Sequence, residues 1–222
     1  MIDVLPNIEV ATNDNPQVAV IWLHGLGADG NDFVPFVQEL NLSGLPGIRF
    51  IFPHANTMPV TINGGYTMRA WYDIVHTDLG RQEDEKGLRV SQAHVEALIE
   101  REKSRGIPAS RIILGGFSQG CAMTLQTGLR YKEKLAGLLC LSGYLPLADK
   151  VAAERHAANA DTPIFLAHGR LDPVVPLARA TASRDALKAL GYQVEWRDYY
   201  MQHSVCPEEV ADISGWLQKV LK

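Results

Sequence analysis

One stretch of nine residues decides the fold class: it reads IILGGFSQG and occupies positions 112–120. Its first half is an apolar run typical of a buried strand, and a helical pattern follows its second half. Between them, the pattern Gly-x-Ser-x-Gly at 116–120 predicts a tight turn that lifts Ser118 clear of the sheet. Glycine is needed on both sides because a Cβ there would clash. The turn also places the Ser118 hydroxyl at a helix N-terminus, where amides and the helix dipole favour negative charge. We therefore interpret Ser118 as a nucleophile, with a purely structural turn as the alternative.

Apolar runs alternate with helical patterns along the chain, which predicts a mostly parallel central sheet with helices on both faces, an α/β fold. The predicted strands span residues 18–23, 48–52, 111–115, 135–141, 163–167 and 193–199. The predicted helices outside the Ser118 region span residues 92–105, 177–190 and 208–221. No repeat or linker divides the sequence, so we expect residues 1–222 to form a single domain.

The segment at 53–80 does not fit the alternation, because it has little periodicity and many large apolar side chains. Long connections in a compact domain are uncommon and tend to be functional. Two interpretations stay open: an excursion that packs against the sheet, or an insertion that shapes a substrate site.

Composition excludes several classes of protein. The formal net charge is −4, from 21 Lys and Arg against 25 Asp and Glu, so no basic face for nucleic acid is expected. The sequence has no signal peptide and no apolar run of the roughly 18 residues that a membrane span needs, so we expect a cytoplasmic protein. The three cysteines, Cys121, Cys140 and Cys206, are widely spaced and form no Cys-x-x-Cys pair, so we interpret them as reduced thiols. No metal or cofactor site is predicted.

A serine nucleophile needs a base, and in strand–turn–helix sites of this kind the chain order is Ser, then Asp or Glu, then His. Of seven histidines, only His156, His168 and His203 lie far enough along the chain. His156 falls in an Ala-rich helical run and His168 ends a buried strand. His203 lies in a loop after the last strand, at the edge of the sheet where ligands bind in open α/β folds. We therefore predict His203 as the base.

Eight acidic residues lie between Ser118 and His203, and position favours one of them. Asp172 follows the strand at 163–167 within HGRLDPVVP, on the same sheet edge as Ser118. The prolines stiffen this loop and would fix a carboxylate that holds the imidazole in one tautomer. A turn-forming Asp before Pro is the structural alternative.

The loop GLGADG at 25–30 fits the dinucleotide-binding pattern G-x-G-x-x-G, but the acid that would bind a ribose is missing after the next strand. The alternative is an oxyanion loop. In that interpretation the backbone amides of Leu26 and Gln119 stabilise the negative oxygen of the tetrahedral intermediate.

Taken together, the sequence resembles the carboxylesterase and acyl-protein thioesterase (lysophospholipase-like) family of α/β-hydrolases. The motifs that carry the resemblance are LHGLGADG at 23–30, RAWYD at 69–73, GGFSQG at 115–120, HG at 168–169 with Asp172, and His203. The Ala28-Asp29 pair in the first motif is more similar to the bacterial carboxylesterase branch.

The resemblance implies an α/β-hydrolase fold without a cap domain, a Ser118–Asp172–His203 triad, and cofactor-free hydrolysis of carboxylic esters with short to medium acyl chains. It also implies an acyl-chain groove in the 53–80 segment, for which we name Met58, Met68 and Trp71. Small or lipid-like acyl esters, S-acylated proteins and a second copy of the chain are the partners it implies. Thioesterase or lysophospholipase activity with the same triad stays open, as does a non-catalytic binding protein with a hydrolase fold.

Overall fold

The computed structural model describes residues 3–76 and 83–222, and these contain a seven-stranded sheet and a separate hairpin. The nine strands, β1 to β9 in chain order, are Asn7–Ala11, Val18–Leu23, Ile48–Pro53, Thr57–Val60, Tyr66–Arg69, Ile112–Phe117, Gly137–Leu141, Ile164–Gly169 and Val194–Tyr199. The helices α1 to α6 are Phe36–Glu39, Glu85–Ser104, Gln119–Gly128, Ala148–Glu154, Leu177–Ala189 and Pro207–Val220. Short 3₁₀ turns occupy Thr61–Asn63, Ala109–Arg111 and Ala157–Asn159.

The sheet has the order β1-β3-β2-β6-β7-β8-β9, and only β1 runs antiparallel to its neighbour. The α/β-hydrolase fold and the mostly parallel sheet predicted from sequence are therefore confirmed. Strands β2, β6, β7 and β8 are almost wholly buried, as expected when helices cover both faces. Because β6 lies in the middle, the turn after it emerges at the centre of the sheet's carboxyl edge.

Two apolar clusters fill the two faces of the sheet. Side chains from α2, α3 and α5 form the first, and side chains from α1 and α6 form the second. Helix α6 contributes its buried face through Val210, Ile213, Trp216 and Leu217. Among the described residues, no helix combines the length and the apolar composition that a bilayer crossing requires.

Several elements differ from the sequence prediction, β1 and α2 among them. Strand β1 was not predicted, because its sequence NIEVA is half-polar and it lies at the sheet edge, paired only with β3. Helix α2 begins at Glu85 rather than at residue 92. Its first two turns are mostly polar, and Leu88 is their one buried apolar residue. There Asp84 caps the helix by accepting the N–H of Gly87 at 2.9 Å.

The 53–80 segment contains regular structure that its sequence did not reveal. Strands β4 and β5 form an antiparallel hairpin in which Met58 pairs with Met68. The chain then returns to the core through Ala70, Trp71 and Tyr72, all buried. Residues 77–80 of the predicted insertion lie outside the described part of the chain.

Candidate active site

Ser118 occupies a strained turn between β6 and α3. Its backbone has φ 56° and ψ −116°, in a region that non-glycine residues rarely adopt and that costs of order 1–3 kcal/mol. Its N–H donates to the carbonyl of Leu141 on β7, which holds the turn against the sheet. A Cβ on Gly116 would lie 2.5 Å from the Gly120 backbone, and a Cβ on Gly120 would lie 1.9 Å from the Leu23 carbonyl oxygen. Only glycine fits at both positions, which explains the motif.

The structure brings together the three residues predicted as a triad. The Nε2 atom of His203 lies 2.9 Å from Oγ of Ser118, and its Nδ1 atom lies 2.6 Å from Oδ2 of Asp172. Since a carboxylate only accepts, Nδ1 carries the hydrogen, and Nε2 presents a lone pair to the Ser118 hydroxyl. The other carboxylate oxygen of Asp172 accepts the N–H groups of Val174 at 2.8 Å and Val175 at 2.9 Å.

The exposure of these three side chains suits their arrangement. Asp172 is buried, His203 is half-buried and Ser118 is half-buried, so the chain of hydrogen bonds runs from the interior outwards. The ring of Phe117 lies 4.7 Å from the imidazole of His203 and covers part of it with apolar surface. The imidazole is thereby held between Asp172, Ser118 and an aromatic wall.

His168 is a site residue that sequence reasoning set aside as the end of a buried strand. Its Nε2–H donates to the Val175 carbonyl at 2.8 Å and lies 3.5 Å from Oδ2 of Asp172. Burial lowers the pKa of His168, so the ring is neutral near pH 7. Its spacing of four residues before Asp172 was visible in HGRLD, but only the loop geometry brings the two side chains together.

The predicted oxyanion loop lies directly against Ser118. A Cβ on Gly25 would sit 3.4 Å from the Cβ of Ser118, and the Gly27 N–H donates to the carbonyl of Arg69. The N–H groups of Leu26 and Gln119 donate to no other group within the described residues. Gln119 is the first residue of α3, where such a free amide is expected. Both predicted donors are thus unpaired, one directly after Ser118 in the chain and the other directly after Gly25.

His24 fixes this loop from beneath. Its Nε2 accepts the Ala55 N–H at 3.0 Å, so its Nδ1 carries the hydrogen and donates to the Gly25 carbonyl at 2.7 Å. Burial lowers the pKa of His24 to about 4, which keeps the ring neutral and this tautomer in place. The Trp71 indole N–H donates to the His24 carbonyl at 2.9 Å.

The geometry does not fit the dinucleotide alternative for residues 25–30. A dinucleotide loop places its last glycine at the opening of a helix, whose N-terminus holds the pyrophosphate. Here Gly30 packs against β3, with a would-be Cβ 2.3 Å from the Phe52 carbonyl oxygen, and the next helix begins only at Phe36. The loop packs against Ser118 instead.

Of the three residues named for an acyl-chain groove, two lie at the surface and one does not. Met58 and Met68 are half-buried and face each other on the hairpin, and the Met68 sulfur lies 3.5 Å from a would-be Cβ of Gly27. Trp71 is only 2% exposed. Its backbone N–H donates to Gln119 Oε1, and its indole holds His24, so it supports the oxyanion loop from the core rather than lining a groove.

The fold and this arrangement define a class of enzyme, and comparison with known proteins agrees. A model of the Phospholipase/Carboxylesterase family matches residues 6–221, and the chain belongs to that family. It is a serine hydrolase of the α/β-hydrolase fold that cleaves esters.

Similar proteins come from fungi and plants. An acyl-protein thioesterase 1 of Neurospora crassa is 45% identical over 211 residues, which cover 91% of this chain and 86% of that protein. One of Yarrowia lipolytica is 38% identical, with 98% of each chain covered. The crystal structure of Zea mays acyl-protein thioesterase 2 superposes with a TM-score of 0.87 at 30% identity, covering 98% of this chain and 100% of that one. The crystal structure of Arabidopsis thaliana SOBER1 superposes with a TM-score of 0.87 at 31% identity, covering 92% of this chain and 99% of that one. These eukaryotic relatives give no support to the bacterial carboxylesterase branch.

Proposed function

We propose that this enzyme hydrolyses S-acyl thioesters, including those on acylated proteins, with Ser118 as nucleophile, His203 as base and Asp172 as the group that orients His203. The observation that carries the roles is the pair of contacts at 2.9 Å and 2.6 Å that joins the three side chains. The relatives described above, named as acyl-protein thioesterases, support the choice of substrate.

In the first half of the reaction, Oγ of Ser118 attacks the acyl carbonyl while its proton passes to Nε2 of His203. The amides of Leu26 and Gln119 stabilise the resulting oxyanion. The bond from carbonyl carbon to sulfur then breaks, the electron pair leaves with the sulfur, and His203 returns the proton to it. This step leaves the acyl group on Ser118 and releases a free thiol.

In the second half, His203 takes a proton from water as that water attacks the acyl-Ser118 carbonyl. Collapse of the intermediate restores the Ser118 hydroxyl, with the proton supplied by His203, and releases the fatty acid. Throughout, the Asp172 carboxylate stabilises the imidazolium without taking its proton. An oxygen ester follows the same path with an alcohol as leaving group.

The acyl chain lies, in this proposal, against the hairpin of β4 and β5. Met68 contacts the oxyanion loop, and flexible methionine side chains adapt to chains of different length. We also treat residues 1–222 as one domain, in which the hairpin rather than a cap shapes the site.

The proposal is tested by comparing an octanoyl thioester with an octanoyl aryl ester in steady-state assays of the wild type and of Asp172→Asn. We expect both substrates to be hydrolysed and kcat to fall by about 10⁴ for each in the variant, as in other serine triads. Hydrolysis of the aryl ester without the thioester would reject the substrate choice. Unchanged kcat in Asp172→Asn would reject its role.

A further inference from the structure

A groove runs along α6 from the reactive histidine. A cavity of about 500 Å³ is lined by His203, Phe117, Phe33 and Val205, and a second of about 530 Å³ is lined by Asn41, Gly215 and Gln218. The two share the lining residues Glu39, Pro207 and Val210, so they adjoin, and together they are here called the α6 groove. Their volumes exceed what a small alcohol or thiol fills.

The groove begins on the leaving-group side of the reaction. His203 must protonate the departing sulfur or oxygen, so that atom has to lie within about 3 Å of Nε2. His203 and the adjoining Phe117 line the groove, whereas the hairpin with Met68 lies against the oxyanion loop. The acyl chain and its carrier are therefore separated, and the carrier faces the α6 groove.

The groove is held in shape by hydrogen bonds across it. The Asn41 N–H donates to Oγ of Ser214 at 3.0 Å, and Nε2 of Gln218 donates to the Ser43 carbonyl at 2.9 Å. Helix α6 is anchored in the core by its buried face. Such preformed concave sites cost little reorganisation when a ligand binds.

The charge of the groove has one sign. Asp32 and Glu39 lie at its wall, neither forms an ion pair with a described residue, and no Lys or Arg lines either cavity in the described part of the chain. Burial and the nearby charge of Asp29 raise the pKa of Asp32, as expected where negative potential accumulates. Apolar walls with unpaired carboxylates suit an extended ligand that carries apolar and cationic side chains.

We propose that the α6 groove binds the peptide that carries the acyl group, and that it favours peptides with a basic residue beside the acylated cysteine. This inference rests on the proposed thioesterase function and adds the carrier that the enzyme selects. Recognition of the carrier is thereby separate from recognition of the acyl chain.

Gly215 offers a test that leaves the catalytic residues untouched. A Cβ built on Gly215 meets no atom within 4 Å, so a side chain at this position starts in open space, and Gly215→Leu adds apolar bulk to the lining of the groove. Gly215→Ala is the matched control, since it makes the same backbone change with little added volume. Replacing glycine in a helix interior is itself stabilising by about 0.5–1 kcal/mol.

The substrates are an octanoylated cysteine peptide with flanking lysines and the octanoyl thioester of N-acetylcysteamine. We expect Gly215→Leu to lower kcat/KM for the peptide about tenfold, the loss of one good contact, with the small thioester within twofold of wild type. Gly215→Ala should match wild type on both. Glu39→Gln should reduce the preference for flanking Lys over flanking Glu by about threefold, as for an exposed ion pair.

An equal effect of Gly215→Leu on both thioesters, or none on either, would overturn the inference. So would a selective loss of lysophosphatidylcholine hydrolysis, which would assign the groove to a lipid headgroup. A change of oligomeric mass without a change of the peptide ratio would assign it to a second copy of the chain. If neither thioester turns over, the proposed function fails. The groove is then tested with oxygen esters, by the ratio of kcat/KM for an O-acylserine peptide to that for the octanoyl ester of N-acetylethanolamine.

Discussion

Nε2 of His168 lies 3.5 Å from Oδ2 of Asp172, so the carboxylate that accepts from His203 has a second imidazole beside it. The His168 N–H donates to the Val175 carbonyl, and the Val175 N–H donates back to Asp172. This closed set of contacts fixes the carboxylate before any substrate arrives.

We expect His168→Phe to lower kcat at least tenfold while KM changes less than twofold. The substitution removes the N–H beside Asp172 and leaves the Val175 carbonyl without a partner, at a cost of about 1–3 kcal/mol. His156→Phe, at an exposed position, is the control. Wild-type kcat in His168→Phe would remove His168 from this role.

A second expectation concerns the Gln119 side chain, which accepts the Trp71 N–H and donates to the Tyr72 carbonyl, both at 2.8 Å. Gln119→Leu leaves two buried backbone groups unpaired, and we expect the free energy of unfolding to fall by about 2–4 kcal/mol. Urea unfolding measures it, with exposed Gln202→Leu as control. An unchanged midpoint would show that the pairing contributes nothing.

A third expectation concerns pH and His24. Its pKa is about 4 in the folded chain, against about 6.5 when unfolded, so the unfolded state binds more protons between these values. The contribution of His24 to the free energy of unfolding is complete above pH 6.5 and falls by up to about 3 kcal/mol as the pH drops towards 4. His24→Gln, which keeps a donor and an acceptor but cannot titrate, should flatten this part of the curve. Urea unfolding from pH 4.5 to 7 measures the free energy of unfolding of the wild type and the variant. An equal pH dependence in the two proteins would contradict the lowered pKa of His24.

A fourth expectation concerns chain length. Met68→Ala removes apolar surface beside the oxyanion loop, so we expect kcat/KM to fall about tenfold for a dodecanoyl ester and by less than threefold for an acetyl ester. The control is Tyr66→Ala on the same hairpin, where the side chain is 70% exposed. A parallel loss for both esters would place the acyl chain elsewhere.

The sequence was sufficient for the features that depend on short spacing. Ser118 sits in five residues whose backbone demands glycine, Asp172 follows the buried strand β8, and His203 follows β9 at the edge of the sheet. Parallel strands end at one edge, so chain order alone predicted that these side chains would meet. In the structure, the contacts at 2.9 Å and 2.6 Å join the three side chains.

Features that depend on tertiary contact could not be predicted in this way. Trp71 is a large aromatic residue of the kind that often lines pockets, but its indole N–H and its backbone N–H both donate to partners in the core. Strand β1 is half-polar because one side of an edge strand faces solvent. The hairpin of β4 and β5 lies outside the main sheet, contains Pro59 and has strands of only 4 residues, too short for alternation to predict them.

In the mechanism proposed above, the acyl group passes through a covalent ester on Ser118. Rapid acid quench of the wild type during turnover of an octanoyl thioester, followed by peptide mapping in a mass spectrometer, measures this directly. We predict an octanoyl adduct on Ser118 that forms and decays within turnover, and no adduct and no turnover with Ser118→Ala. An adduct on another residue such as Cys206, or wild-type turnover by Ser118→Ala, would contradict an acyl intermediate on Ser118.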